Sequence, residues 1–441
     1  MFEEFKNKML AKGVSNLAIK IFEKNFNKMI NGESFVYESN EIEPLSKPDK
    51  ELIEKEFDKN LTYERSKKVV VIKLNGGLGT SMGLKGPKSQ LKVKNNLNFL
   101  EITVNQIRKF NEKNKTNVPL LFMNSFSTSL ETEENLKKLN FSNDKLPNSF
   151  NENKSPKIKR IDENNQNPNY IPAQYKDDET LEWAPPGHAD VYPSLLESGM
   201  LNEFKNQGYE YVFISNVDNL GACLTPSIIN TIFEMNSSFV MEVAQRTEND
   251  KKGGHLALKD GKLILRESSQ VLKKDEEDFQ NYHKYQFFNT NSIWIKIEKL
   301  LEILDKNNGI LDLPIIINQK NINPSDENSE KIIQLESAMG SAITLFDDAK
   351  TLLVKYNRFI PVKNTSNLLY LLSDLVELDE DFLLHPKKQI LIDLKNNNYK
   401  LVENFYKRFI FIPSLINCNS LIIENDLYFN EPLVLQGDVK L

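Results

Sequence analysis

The chain is poor in cysteine: Cys223 and Cys418 are the only two among 441 residues, and neither belongs to a CxxC pair. Two isolated thiols build neither a disulfide framework nor a thiolate metal site, so both read as ordinary reduced cysteines of a cytosolic protein. No run of about 18 apolar residues occurs, which excludes a hydrophobic membrane helix as an expectation. The opening MFEEFKNKMLAKG intersperses charges with apolar residues at helical spacing and lacks the apolar core of a secretory signal. An excess of basic charge is also missing. The net charge is −6, which argues against a general nucleic-acid binder, although a local basic pocket is still allowed. Together these absences predict a cytoplasmic protein with no membrane or nucleic-acid partner.

What is present suits a globular enzyme: 39% hydrophobic and 27% charged residues, in a length that suggests two or three units. Residues 1–65 place Phe2, Phe5, Met9 and then Leu17, Ile21, Phe22 at helical spacing, predicting a small helical region. At Lys67 the pattern turns to KKVVVIKLNGG, a β-branched run ending at glycines, as a buried strand entering a loop would. Similar runs follow at Val118–Met123, Tyr211–Ile214 and Phe239–Val243, with amphipathic stretches at Phe99–Phe110 and Thr225–Met235 between them. This alternation predicts an α/β sheet covered on both faces, over a catalytic domain of residues 66–385. The Asn- and Lys-rich stretches 140–180 and 318–330 read as surface loops, either passive or forming a lid.

Residues 386–441 form a third unit with its own period. Leu421, Leu427, Leu433 and Val439 recur every six residues, and Ile423, Phe429, Leu435 and Leu441 repeat the interval offset by two. Two such ladders predict a short parallel β-helix, with a β-meander as the alternative. So short a stack buries itself only against the body or a second subunit, so homo-oligomerisation through it is an expectation.

Three segments carry the chemistry. The first is Lys73 to Ser89, KLNGGLGTSMGLKGPKS, directly after the first buried strand. Its glycines let backbone amides approach phosphate, and Lys88 adds a compact positive charge. It matches neither GxGxxG nor GxxxxGK[ST]. In the second, WAPPGHADVY, two prolines and a glycine frame His188, which is able to donate to a phosphate or sugar oxygen. The third, YVFISNVDNLG, is a strand ending in Asn216 and Asp218; one carboxylate at a strand's carboxyl end, beside a nucleotide, suits Mg²⁺. Weaker signals lie at Asp250–His255, Leu265–Ser268, Gln286–Asn291 and Arg358–Lys363, where polar groups sit in apolar or glycine-rich frames.

In this order LNGGLGTSMG, PPGHAD, SNVDNLGA, MEV-x-x-RTENDKKGGHL, FFNTNSIW, QLESAMGSA and RFIPVK resemble the eukaryotic-type UTP–glucose-1-phosphate uridylyltransferases, including their trypanosomatid branch, from about residue 65 onward. The resemblance implies a Rossmann-like catalytic domain with a mixed sheet, a short N-terminal helical region and a C-terminal left-handed β-helix. It implies UTP and glucose 1-phosphate as substrates and Mg²⁺ as cofactor. Leu74, Asn75, Gly76 and Gly77 would hold the nucleotide, Lys88 its phosphates and Gly187 the uracil. Asn216 and Asp218 would serve the ribose and Mg²⁺, His188 the sugar phosphate. Gly254, Glu267, Asn289 and Asn291 would line the glucose side, with Lys363 reaching the reacting phosphates.

Two positions depart from the family pattern. Glu152 stands where a uracil-reading glutamine is usual, and Ala189 where glycine is usual. An amide both donates and accepts, whereas ionised glutamate only accepts. Either Glu152 is protonated, or a neighbour such as Asn151 or Asn153 reads the base. The expected reaction is direct in-line attack of the sugar phosphate on the α-phosphorus of UTP, which needs no protein nucleophile. Another sugar 1-phosphate, such as that of galactose or N-acetylglucosamine, is the nearest rival reading. A dinucleotide oxidoreductase would need GxGxxG followed by an acid about 20 residues on, which is lacking. A non-catalytic regulator would be expected to have lost Asp218 or one of the two lysines.

Overall fold

Seven strands carry the frame: β1 (Val69–Asn75), β2 (Leu120–Asn124), β3 (Ser149–Asn151), β4 (Tyr211–Asn216), β5 (Phe239–Gln245), β6 (Phe287–Lys296) and β7 (Lys350–Leu353). They come from a computed structural model that describes residues 2–33, 36–161, 169–324, 326 and 328–441. All seven belong to one eleven-stranded sheet, ordered β7-β5-β6-β4-β1-β2-β3. Every residue of β1 is buried. Val69 and Val71 enter one core, Val70, Ile72 and Leu74 the other, which is why this strand is apolar on both faces.

β1 runs parallel to β2 and β4, as alternating strands and helices require. β6 breaks that rule: it lies antiparallel between β4 and β5, so the sheet is mixed. Four helices matter here: α1 (Phe2–Ala11), α2 (Asn16–Ile30), α3 (Phe99–Asn114) and α4 (Pro226–Met235). α3 starts on a capping box between Asn98 and Glu101, and α4 on a Thr225 cap followed by proline.

Both Asn- and Lys-rich stretches differ from the expected loops. Strands within the first and bordering the second form a second, antiparallel sheet in the order 169–172, 158–161, 331–336, 316–321. Residues 162–168, 325 and 327 of those stretches lie outside the described residues. One face of this sheet supplies Ile158, Ile333 and Leu335 to a core shared with Phe5, Met9, Phe22 and Phe26 of α1 and α2. Polar residues on the other face hid the strand alternation.

At the C-terminal end, β8 (Leu391–Leu394), β9 (Cys418–Ile423) and β10 (Gly437–Lys440) stack in parallel. Leu421 pairs with Val439, three intervals of six along the chain. Parallel neighbours exclude a meander in this stack. Leu421, Ile423 and Phe429 are buried and Leu433 is exposed, while the other ladder residues pack partly against the core that holds Val69 and Val71. Among the described residues no helix is long and apolar enough to cross a membrane.

Deep beside β6, Glu242 on β5 meets Arg358, with Nε and Nη2 donating at 2.8 and 2.9 Å and Trp294 Nε1 donating to the same carboxylate at 2.9 Å. Both charged residues are under 5% exposed, and Arg358 Nη1 also donates to the Cys223 carbonyl. Breaking a buried pair strands the surviving charge. Arg358→Met is expected to lower unfolding stability by roughly 3–5 kcal/mol, read as a lower urea midpoint at unchanged slope. A loss below about 1 kcal/mol would show that the fold does not depend on this pair.

Candidate active site

The carboxyl ends of β1 and β4 lie side by side: Asn216 is in register with Leu74, and Val217 N–H donates to the Leu74 carbonyl at 3.1 Å. From there the glycine loop leaves β1 and folds back, Lys88 N–H donating to the Gly77 carbonyl at 3.0 Å. Gly79 and Gly83 take left-handed φ values of 65° and 73°, which a β-carbon would strain. The return delivers Lys88 Nζ to Asp218 Oδ2 at 2.5 Å, each side chain 16% exposed. The loop thus sets its lysine against the acid expected to hold a metal. Asn75 is not presented outward; its amide donates to Asn124 and Thr132 at 2.7 and 2.9 Å, tying the loop root to β2.

A second group forms where Gly76 abuts the Glu152 carboxyl so closely that a β-carbon there would overlap it. Glu152 follows β3, and its N–H donates to the Asn124 carbonyl at 2.7 Å. Across from it runs the 186–190 turn, braced on residues 336–339. Ser337 N–H donates to the Pro186 carbonyl and Ala189 N–H to the Ser337 carbonyl, both at 3.0 Å. Gly187 sits between them at φ 90°, and a β-carbon there would lie 2.5 Å from Ser337 N and O. The smaller neighbour expected at 189 is not needed for this turn, because Ala189 is buried and accommodated.

His188 accepts from Met339 N–H at Nδ1, 3.0 Å away. Burial holds the imidazole down to about 4. It is therefore neutral at physiological pH, and with Nδ1 an acceptor the ring proton sits on Nε2, a donor.

The third group is Gly254, Glu267 and Lys363. A β-carbon on Gly254 would stand 2.5 Å from Glu267 Oε2. Burial raises the Glu267 carboxyl, and the charge of Lys363 offsets this in part. Lys363 Nζ lies 5.9 Å over the Phe359 ring. Its segment is pinned to the Asp218 loop. Asn219 donates to the Arg358 carbonyl and accepts from Ile360 N–H, both at 3.0 Å. Asn289 and Asn291 form a fourth pair within a register shift between β5 and β6. Asn289 Nδ2 donates to Asn291 Oδ1 and Asn291 N–H to Asn289 Oδ1, both at 2.8 Å, with Asn291 at φ 55°. Bulges of this kind re-aim side chains.

One segment touches two of these sets. Ser337 braces Gly187, Met339 orients His188, and Gly340 leaves room for Asn289, whose Nδ2 would lie 2.9 Å from a β-carbon there. QLESAMGSA stands out in the sequence as a motif, yet none of its side chains signals a role, because its contributions are mostly backbone.

The model of the family described as UTP–glucose-1-phosphate uridylyltransferase matches residues 19–436. The chain belongs to this family. It is 38% identical over 383 residues to UTP–glucose-1-phosphate uridylyltransferase 2 of Dictyostelium discoideum, covering 86% of this chain and 74% of that protein. The Saccharomyces cerevisiae enzyme of the same name is 38% identical over 84% of this chain and 73% of its own length. Among solved structures, the UDP-glucose phosphorylase of Trypanosoma brucei is 42% identical with a TM-score of 0.91, covering 100% of this chain and 94% of that one. A point mutant of the Leishmania major UDP-glucose pyrophosphorylase in complex with UDP-glucose is 35% identical with a TM-score of 0.90, covering 100% and 94%.

In this uridylyltransferase family member, no group of three or more His, Cys, Asp or Glu side chains forms a metal cluster among the described residues. Lone Asp218 fits Mg²⁺, which takes one or two carboxylates and completes its shell with phosphate and water oxygens. Gly187→Ala is expected to fail twice over, through strained φ and backbone overlap with Ser337. It should cost about 1–3 kcal/mol of stability and weaken nucleotide binding, measured by thermal unfolding with and without UTP. A variant that melts and binds like wild type would mean the turn is not held as described.

Proposed function

We infer that the chain transfers the uridylyl group of UTP to glucose 1-phosphate, giving UDP-glucose and pyrophosphate, the activity for which its family is named. The observation that carries the reading is the Lys88–Asp218 pair at the joined ends of β1 and β4, beside the glycine loop. A phosphate oxygen of the sugar attacks the α-phosphorus as the bond to the pyrophosphate oxygen breaks in line. The nucleophile is already an anion, so no side chain need take a proton. Catalysis then rests on holding two anions together and offsetting the charge that builds on the α-phosphate.

Lys88 supplies that charge from a loop whose fold-back fixes its position. Lys363 serves the approaching sugar phosphate from the segment that Asn219 ties to the Asp218 loop. His188 donates through Nε2 to the same phosphate. Leu74 to Gly77 and Asn216 line the nucleotide, Gly187 and Glu152 the base, and Gly254, Glu267, Asn289 and Asn291 the hexose. Mg²⁺ held by Asp218 would neutralise the triphosphate and polarise the α-phosphoryl oxygen.

The stacked strands of residues 386–441 are read as a left-handed β-helix, supported by the six-residue ladders and the Leu421–Val439 pairing. The division into regions 1–65, 66–385 and 386–441 draws support from the change of pattern at that stack. Self-association there is supported by exposed Ile410, Phe411, Tyr428 and Val434. A cytoplasmic setting agrees with two unpaired cysteines.

Pyrophosphate release with Mg²⁺, over a matrix of nucleoside triphosphates and sugar 1-phosphates, tests the reading. UTP with glucose 1-phosphate is expected to lead; another pair at least about tenfold better in kcat/KM would overturn it. Lys363→Ala should lower kcat by about a hundredfold or more under saturating substrates, and unchanged kcat in a folded variant would remove it from catalysis.

A further inference from the structure

Glu152 is 9% exposed, and its Oε1, packed against Gly76, has no hydrogen-bond partner. Lysines on the adjoining segments are engaged elsewhere: Lys88 with Asp218, Lys154 over the Trp183 ring at 4.8 Å and Lys320 with Glu336 at 3.2 Å. The charges that act on Glu152 are Asp190 and Glu336, both acidic. Asp190 is itself buried, accepting from Asn153 N–H and the Ser194 hydroxyl at 2.6 and 2.7 Å. His188, on the same turn, is neutral. From the glycine-loop side come Gly76, Asn75, Asn124, Ser125 and Thr132, none of them charged.

A buried carboxylate is tolerable only with a cation or several N–H donors, and Glu152 has neither. Burial and the two acids hold its carboxyl well above the usual range. A neutral carboxylic acid, by contrast, offers one donor and one acceptor side by side, as an amide does. That matches one edge of uracil, where a carbonyl oxygen sits beside N3–H. An ionised carboxylate would accept from N3–H but repel that carbonyl.

We propose that Glu152 reads the base of UTP as a neutral carboxylic acid, its O–H donating to a ring carbonyl and its carbonyl oxygen accepting from N3–H. The proposal rests on the UTP reading above and makes nucleotide affinity depend on a proton held by the protein. The sign follows from the raised carboxyl. On this proposal the protonated form, favourable to fold and base alike, is the one present at neutral pH, and it is lost as pH rises through the folded-state value.

Infrared difference spectra between the wild-type enzyme and Glu152→Gln at neutral pH decide the protonation. A carboxylic-acid C=O band present only in the wild type supports the proposal; a difference confined to carboxylate bands overturns it. Kinetics decide the contact. Glu152→Ala should raise KM for UTP about tenfold or more while moving KM for glucose 1-phosphate far less, and an unmoved UTP KM in the folded variant overturns the proposal. On the alkaline side, wild-type KM for UTP relative to Glu152→Gln must climb wherever the acid band converts to carboxylate. A level ratio through that conversion also counts against it. Comparison with the amide variant cancels titration of the substrates' own phosphates. A wild-type enzyme that turns over no UTP with glucose 1-phosphate would defeat the functional reading instead, whatever the spectra show.

Discussion

The buried pair of Glu242 and Arg358 is the constraint on which the catalytic geometry depends. Glu242 belongs to β5, its carboxylate also binds Trp294 of β6, and Arg358 reaches across to the Cys223 carbonyl beyond the Asp218 loop. The Arg358 carbonyl in turn accepts from Asn219, and a side chain on Gly221 would overlap Asn357 and Arg358. One ion pair therefore locks together the sheet, the loop bearing Asp218 and the segment bearing Lys363. Charges so deeply buried tolerate little displacement, since each lost hydrogen bond leaves an unscreened charge. Lys73 completes this polar interior, donating to Ser215 and to the Ala222 carbonyl, with burial holding it down to about 8.

Charge is divided across the site in a way that suits two anionic phosphates and a neutral base. In the proposed reaction Lys88 and Lys363 serve the phosphates, whereas the groups that act on Glu152 are acidic. The segment 336–340 marks the boundary, using backbone to brace the 186–190 turn and a glycine to admit Asn289. Such positioning by main chain leaves side-chain identity almost free, and a sequence read for chemistry-bearing side chains passes over it.

Much of the fold was legible because burial on two faces leaves uninterrupted β-branched runs: β1, β2, β4 and β5 fall where those runs stand. The six-residue ladders likewise anticipated parallel stacking at the C-terminal end, since identical faces recur once per coil. β6 was legible only as the motif FFNTNSIW, and its antiparallel insertion between β4 and β5 was not, because strand order depends on partners far away in the chain. The second sheet was hidden by exposed Asn and Lys around Ile158, Ile333 and Leu335.

For the site, the sequence by itself determined the chemical inventory: a glycine loop with its lysine, one carboxylate at a strand end, a histidine framed by prolines, and the order of seven motifs. Local steric and charge rules make such segments recognisable without knowing their neighbours. Only the tertiary structure decided which of them meet. It paired Lys88 with Asp218, enclosed Glu152 among acids without a cation, set His188 as an Nε2 donor and turned Asn75 inward. Each of those outcomes depends on what long-range packing places within a few ångströms, and on how much water that packing removes.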